Sequence, residues 1–154
     1  MKTLLMSIKP TFSDRIFSGE KRFELRRTPV RLEEGDIVVV YASSPVKAIV
    51  GAFTVSGIKR GAVHHLWRHH GKDFGVSHDE YTSYFDGVAV AHAIEVGERI
   101  QVEPVPLDDL RHRYDGFRPP QSFMYWAGAL DKLLGKKAVR RLRSSQSAAI
   151  CSVG

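Results

Sequence analysis

Three side chains of complementary chemistry fall close together in the chain: Lys21, Glu24 and Arg26. An ammonium is a compact point charge, and a guanidinium offers a planar fork to a phosphate or a base edge. A carboxylate accepts from an amino group or takes a proton from a hydroxyl. Gathered in one pocket, the three would suit a nucleic-acid fragment; strung along an exposed strand, they would be a solvated row of ions. From Arg22 the pattern has period two, so Phe23 and Leu25 share one face while Arg22, Glu24 and Arg26 share the other. Lys21 has the opposite parity and joins Glu24 and Arg26 only if the backbone bends near Gly19, where glycine makes a bend cheap.

Other candidate chemistry is weaker. His64, His65, His69 and His70 cluster, with His65 and His69 one helical turn apart, but Leu66 stands where a zinc-protease helix needs Glu. Solvated histidines are the reading, and no metal is expected. His92, on the apolar side of a strand, reads as a hydrogen-bonded core residue, and His112 between Arg111 and Arg113 as polar surface. The lone Cys151 forms neither an internal disulfide nor a zinc cage. No motif asks for a cofactor.

The elements that must position the charged run follow from periodicity. Leu4 to Ile8 is a short apolar strand, and Pro10 opens a helix whose stripe is Phe12, Ile16 and Phe17 and whose end is Gly19. After the charged strand comes a loop, then Ile37 to Ala42, a β-branched run buried on both faces. Residues 49 to 55 alternate around Gly51, a glycine that marks a bulge or barrel corner. Residues 61 to 70 read as a helix. Ser77 to Glu80 match a capping box opening another, with Tyr81, Tyr84 and Phe85 on its apolar side. Val88 to Val96 is a strand and Ile100 to Val105 a separate last one. From Phe123 to about Arg143 apolar residues return at helical spacing, and Ser144 to Gly154 reads as a disordered tail.

Length and charge set the frame. The 154 residues suit one domain, read as residues 1–130 followed by a basic helix and tail over residues 131–154. That tail holds six cations against Asp131, so it carries +5 of the net +6. Within the near-neutral body, residues 14 to 31 still hold six Lys or Arg against three acids, a local basic patch on the charged run. No stretch reaches the roughly 20 apolar residues of a membrane span, and the first residues are too short in apolar run for a signal peptide. The reading is cytoplasmic, with no membrane partner.

The pattern Gly19, Lys21, Glu24, Arg26 resembles the signature of the ASCH domain, a branch of the PUA-like superfamily associated with RNA. The order of its surroundings is similar too: an opening strand, Lys9 and Pro10 before a helix, a buried strand ending in Tyr41 and Ala42, Val50 with Gly51, and Pro119 to Ser122 before an aromatic pair. The resemblance spans roughly residues 3 to 126. It implies an α+β fold, a small PUA-like β-barrel with flanking helices, and a charged cleft that takes RNA or a nucleotide fragment. Gly19, Lys21, Glu24, Arg26, Tyr41, Ser43 and Ser122 would bind the ligand, with a regulatory role in transcription or translation. Stacking partners would come from Tyr41, Trp67, Tyr84, Phe85, Tyr125 and Trp126.

Two rival readings stand beside it. The family includes enzymes, so Lys21 and Glu24 are also candidate catalytic residues, of a ribonuclease or of an amidohydrolase acting on a modified nucleoside. In the amidohydrolase branch a Thr nucleophile aligns where this chain has Glu24. The third reading is an adaptor that holds a peptide or small anion. The tail cations Lys136, Lys137, Arg140 and Arg141 are either the solvated face of an amphipathic helix or an arm that grips phosphates.

Overall fold

The computed structural model describes the backbone of residues 1–153 and the side chains of residues 1–146. Strand β1 (Thr3–Ile8) hands over at Lys9 to helix α1 (Pro10–Ser18), with Pro at the first turn. Gly19 ends that helix at φ 90°, its N–H donating to the Ile16 carbonyl. Then come β2 (Phe23–Arg26), β3 (Ile37–Ala42) and β4 (Ala48–Ala62). Helix α2 (Val63–His70), a 3-10 turn (Gly71–Asp73) and α3 (His78–Tyr84) form one side of the molecule. In the capping box of α3 the Glu80 N–H donates to the Ser77 hydroxyl while the Glu80 carboxylate accepts from the Ser77 N–H. The chain closes with β5 (Val90–Pro106), α4 (Leu107–Arg113), β6 (Phe123–Tyr125), α5 (Leu130–Leu134) and α6 (Lys136–Val153).

The six strands form one mixed sheet in the order β2-β5-β4-β3-β1-β6, in which β1 and β3 are parallel and every other pair antiparallel. The α+β class therefore holds. The expected barrel does not close as a hydrogen-bonded ladder, because the sheet ends at two short strands, β2 and β6, each paired on one side only. Curvature nevertheless brings the two ends near each other: Arg26 on β2 donates to the Ser7 carbonyl of β1 at 3.1 Å, although three strands lie between them in the order. Register shifts along β4 supply that bending.

Alternation along the strands builds two cores. Leu5, Ile37, Val39, Tyr41 and Ile49 face α4, α5 and α6 through Leu110, Leu133, Val139 and Leu142. Leu4, Met6, Val38, Val40, Phe53 and Ile94 face the other way, against Ile16 of α1. A third cluster packs Phe23 and Leu25 of β2 under α2 and α3, against Leu66, Phe74, Tyr81 and Phe85.

Three expectations need correction. Residues 88 to 105 do not make two strands; β5 runs unbroken for 17 residues, bent where its register with β4 shifts. Residues 123 to 143 are not one helix. Phe123 to Tyr125 pair with β1, and Gly135 at φ 90° separates α5 from α6, a conformation that only glycine adopts freely. The segment after Ser144 is not irregular: the backbone of α6 stays helical to Val153, its buried side being Ala138, Val139 and Leu142. Side chains from residue 147 onward, Cys151 among them, and Gly154 altogether lie outside the described residues. Among the described residues no helix is long and apolar enough to cross a membrane.

Candidate functional site

The bend at Gly19 does what the parity of Lys21 requires. After it the Lys21 N–H donates to the Arg15 carbonyl at 2.9 Å and the Arg22 N–H to Asp73 at 2.9 Å, so the chain doubles back against α1 before β2 begins. Lys21 is thereby driven inward and is 2% exposed. Its Nζ donates to the Phe74 carbonyl at 3.0 Å and stands 5.5 Å from the centre of the Phe12 ring. Gly75, at φ 65°, lies flush on it: a Cβ there would come 2.5 Å from Lys21 Cβ. Burial pushes the Lys21 ammonium below its ordinary pKa, and the Glu24 carboxylate works against that shift.

Glu24 and Arg26 project from β2 on the same face as Ile94. Glu24 is buried, and its Oε1 lies 3.6 Å from Arg26 Nε, close enough for charge attraction but too long for a hydrogen bond. Glu24 Oε2 and Arg26 Nε are both buried without a hydrogen-bond partner among the described residues. Native proteins rarely leave such groups unpaired, since each costs about 1–3 kcal/mol and more when charged. The other guanidinium nitrogens of Arg26 donate to the Ser7 carbonyl at 3.1 Å and the Ser122 hydroxyl at 3.4 Å, fixing the side chain across the gap in the sheet.

These groups line one cavity of about 280 Å³. Its wall is otherwise apolar and aromatic, with Phe12 and Ile8 on one side and Tyr81 and Tyr84 of α3 on the other. Tyr84 is 38% exposed, and its hydroxyl donates to the Leu25 carbonyl at 3.0 Å. Burial raises the Tyr84 pKa, with Arg26 opposing, so the phenol stays a neutral donor at neutral pH. At the rim Arg15 Nη1 meets the Glu80 carboxylate at 3.2 Å and the Gly75 carbonyl at 2.9 Å, tying α1 to α3. A small apolar enclosure with a few convergent ions matches the chemistry of a single base or nucleotide.

The structure therefore brings Lys21, Glu24, Arg26 and Ser43 to one cavity, with Ser43 hydrogen-bonded to the Ile8 carbonyl at 3.5 Å. Ser122 reaches it through Arg26, while Gln121 beside it forms the wall. Two expected residues are elsewhere. Gly19 caps α1 and packs on the Arg99 guanidinium, so its contribution is the bend. Tyr41 has the parity of Ile37 and Val39 on β3, which turns its side chain to the opposite face, under α4 and α6. Of the other aromatics, Trp67 and Phe85 belong to the cluster beneath α3, Trp126 packs edge-on against Tyr114, and Tyr125 is exposed on β6.

The His65 and His69 rings lie 4.3 Å apart between centres, tilted by 52°, and among the described residues no three His, Cys, Asp or Glu side chains are placed to hold a metal ion. His92 is buried and stands in cross-strand register with both Arg26 and Arg60. Burial first, and then Arg60, lower its pKa and keep it neutral. Lys136, Lys137, Arg140 and Arg141 lie on the exposed side of α6, where Arg141 pairs with Glu98 at 3.1 Å. Sequence reasoning missed Phe12, Val76, Glu80, Tyr81 and Gln121 as cavity residues. The capping box announced α3, but nothing local says that this helix folds over β2.

The sequence and the fold are similar to those of known proteins. A family model described as the ASCH domain matches residues 6–100. An ASCH domain-containing ribonuclease of Zymomonas mobilis subsp. mobilis is 32% identical over 124 residues, covering 80% of this chain and 84% of that protein. The crystal structure of ASCH from Zymomonas mobilis superposes with a TM-score of 0.78 at 29% identity, over 93% of this chain and 94% of that one. The large ribosomal subunit protein uL22 of Ureaplasma parvum is 27% identical over 124 residues, though the chain spans only 39% of its length. On the family match and the ribonuclease relative together, the chain belongs to the ASCH domain family.

Proposed function

We propose that this protein acts on RNA, seating one nucleotide in the cavity of Lys21, Glu24 and Arg26 and cleaving the adjacent phosphodiester. The observation that carries the reading is the pair of buried polar atoms without a hydrogen-bond partner, Glu24 Oε2 and Arg26 Nε, on two residues that line one small aromatic-walled cavity. A ribonuclease relative at 32% identity over most of both chains supports the cleavage step.

The roles follow from the side-chain chemistry. Glu24 Oε2 takes the proton of a ribose 2′-hydroxyl, and the freed oxygen attacks the neighbouring phosphorus. Arg26 Nε donates to a non-bridging oxygen as negative charge builds on the phosphorane. The Lys21 ammonium, whose pKa is depressed, gives its proton to the departing 5′-oxygen as that bond breaks. Tyr84 stacks on or hydrogen-bonds the base, Ser43 lines the cavity, and Ser122 steadies Arg26. Acyl transfer by the amidohydrolase route needs a hydroxyl nucleophile, which Glu24 does not offer. Binding without cleavage would make the protein a regulatory RNA module, and an adaptor for a peptide or small anion would bind without RNA.

Incubating end-labelled single-stranded RNA with wild type and Glu24→Gln separates these. Cleavage by the wild type and a loss of about 10²–10⁴-fold in the variant, with RNA still bound, supports the enzyme. Binding with no cleavage by either protein leaves a module, and no binding by either refutes both. Lys136, Lys137 and Arg140 add an electrostatic grip on the flanking phosphates. Replacing these three with Ala flattens the dependence of affinity on salt by up to three phosphate contacts, a slope change of about 2–3 on a log–log plot. An unchanged slope removes the arm.

A further inference from the structure

A second concavity lies across the Arg15–Glu80 ion pair from the first. It is larger, about 660 Å³, and the two share Val76 and Glu80 in their walls. Trp67, half-buried, lines the larger one, with its ring centre 4.9 Å from that of Tyr81, 5.1 Å from that of His78 and 6.2 Å from that of Phe74. Gly71 keeps that ring in place: a Cβ there would lie 2.7 Å from Trp67 Cδ2. Cations stand at two sides, Lys72 and Arg15, and both are lining residues. Of the two carboxylates in the wall, Glu80 is already engaged by Arg15 and by the Ser77 N–H, whose hydrogen bond is the main reason its pKa is lowered. Glu20, exposed at the rim, offers an acceptor for a base amino group.

An indole platform flanked by cations and one spare carboxylate has the composition of a single-strand stacking site. Its place beside a cavity sized for one nucleotide gives it a partner. We infer that this second concavity is the subsite for the neighbouring nucleotide of the same strand, its base stacked on Trp67 and its phosphate against Lys72 and Arg15, a role that presupposes RNA as the ligand of the first cavity. The Arg15–Glu80 pair then marks the boundary between the two nucleotides, and the protein recognises a dinucleotide step rather than an isolated nucleotide.

The test compares a nucleoside monophosphate with a dinucleotide carrying a 2′-deoxy sugar at its linkage, which cannot be cleaved through a 2′-oxygen. Fluorescence is read in a Trp126→Phe background, so that Trp67 is the sole tryptophan. The dinucleotide should bind about ten-fold tighter and quench Trp67, as one added stacking contact implies. Trp67→Leu and Lys72→Ala should each erase most of that gain while leaving the affinity for the monophosphate unchanged. Lys72 is exposed, so its variant reads cleanly even where loss of the indole disturbs folding. Equal affinity for the two ligands, or a gain that survives Lys72→Ala, overturns the subsite while the first cavity stands. Failure of the wild type to bind either ligand overturns both.

Discussion

The two faces of the sheet solve opposite problems. Towards α4, α5 and α6, the side chains of β3 and β4 meet an apolar cover, and even Tyr41 is absorbed into it. Towards the gap between β2 and β1, the same sheet buries Lys21 and Glu24 and half-buries Arg26, with two of their polar atoms unpartnered. The first face is optimised for stability. The second gives stability up, since an incompletely paired buried ion costs several kcal/mol of order of magnitude that a ligand can restore. Such a concession is retained where binding or chemistry needs it.

The contrast can be sharpened by variants on each face. The largest effect belongs to Glu24→Gln, which removes a proposed general base while keeping its shape, so the cleavage rate collapses while thermal stability is unchanged or rises. On the other face Leu142→Ala opens a cavity in the cover of α6 and should cost about 2–5 kcal/mol of unfolding free energy, measured by urea titration, with nucleotide affinity unaltered. A loss of affinity in Leu142→Ala equal to that from the cavity variants would break the division of labour.

Gly75→Ala strikes at the boundary. Its positive φ and the contact with Lys21 both penalise a methyl group, so a loss of about 1–3 kcal/mol accompanied by weaker nucleotide binding is expected. The smallest effect concerns Tyr81, whose hydroxyl donates to the Val63 carbonyl at 2.6 Å and whose pKa burial raises from 10.0 to about 12. Because the folded pKa exceeds the unfolded one, this contribution is complete below pH 10 and is lost as pH climbs through 12. Tyr81→Phe should lower stability by about 1 kcal/mol at neutral pH and give a shallower decline above pH 10, both visible in pH-dependent thermal melts.

Much of this was legible in the chain, for local reasons. The alternation of Phe23, Glu24, Leu25 and Arg26 fixed β2 and its charged face, and the odd parity of Lys21 pointed to the bend that Gly19 provides. Ser77 and Glu80 announced α3. What stayed hidden depends on distant parts of the chain. Only the curl of the sheet brings Arg26 to Ser7 and Ser122, and only the docking of α3 on β2 puts Tyr84 over the site. Tyr41 misled because its signal, an aromatic ending a buried strand, is the same whichever face it takes; its register with Ser7 rather than Ile8 decides that.

The most direct test is an NMR titration of the wild type and Arg26→Ala with a nucleoside monophosphate. The account predicts shift changes centred on Lys21, Glu24, Ser43 and Tyr84 in the wild type, and affinity at least about ten-fold weaker in a variant that remains folded, as the loss of a charge-assisted hydrogen bond requires. Shifts centred on α6 or around Tyr41, with the affinity of Arg26→Ala unchanged, would contradict it.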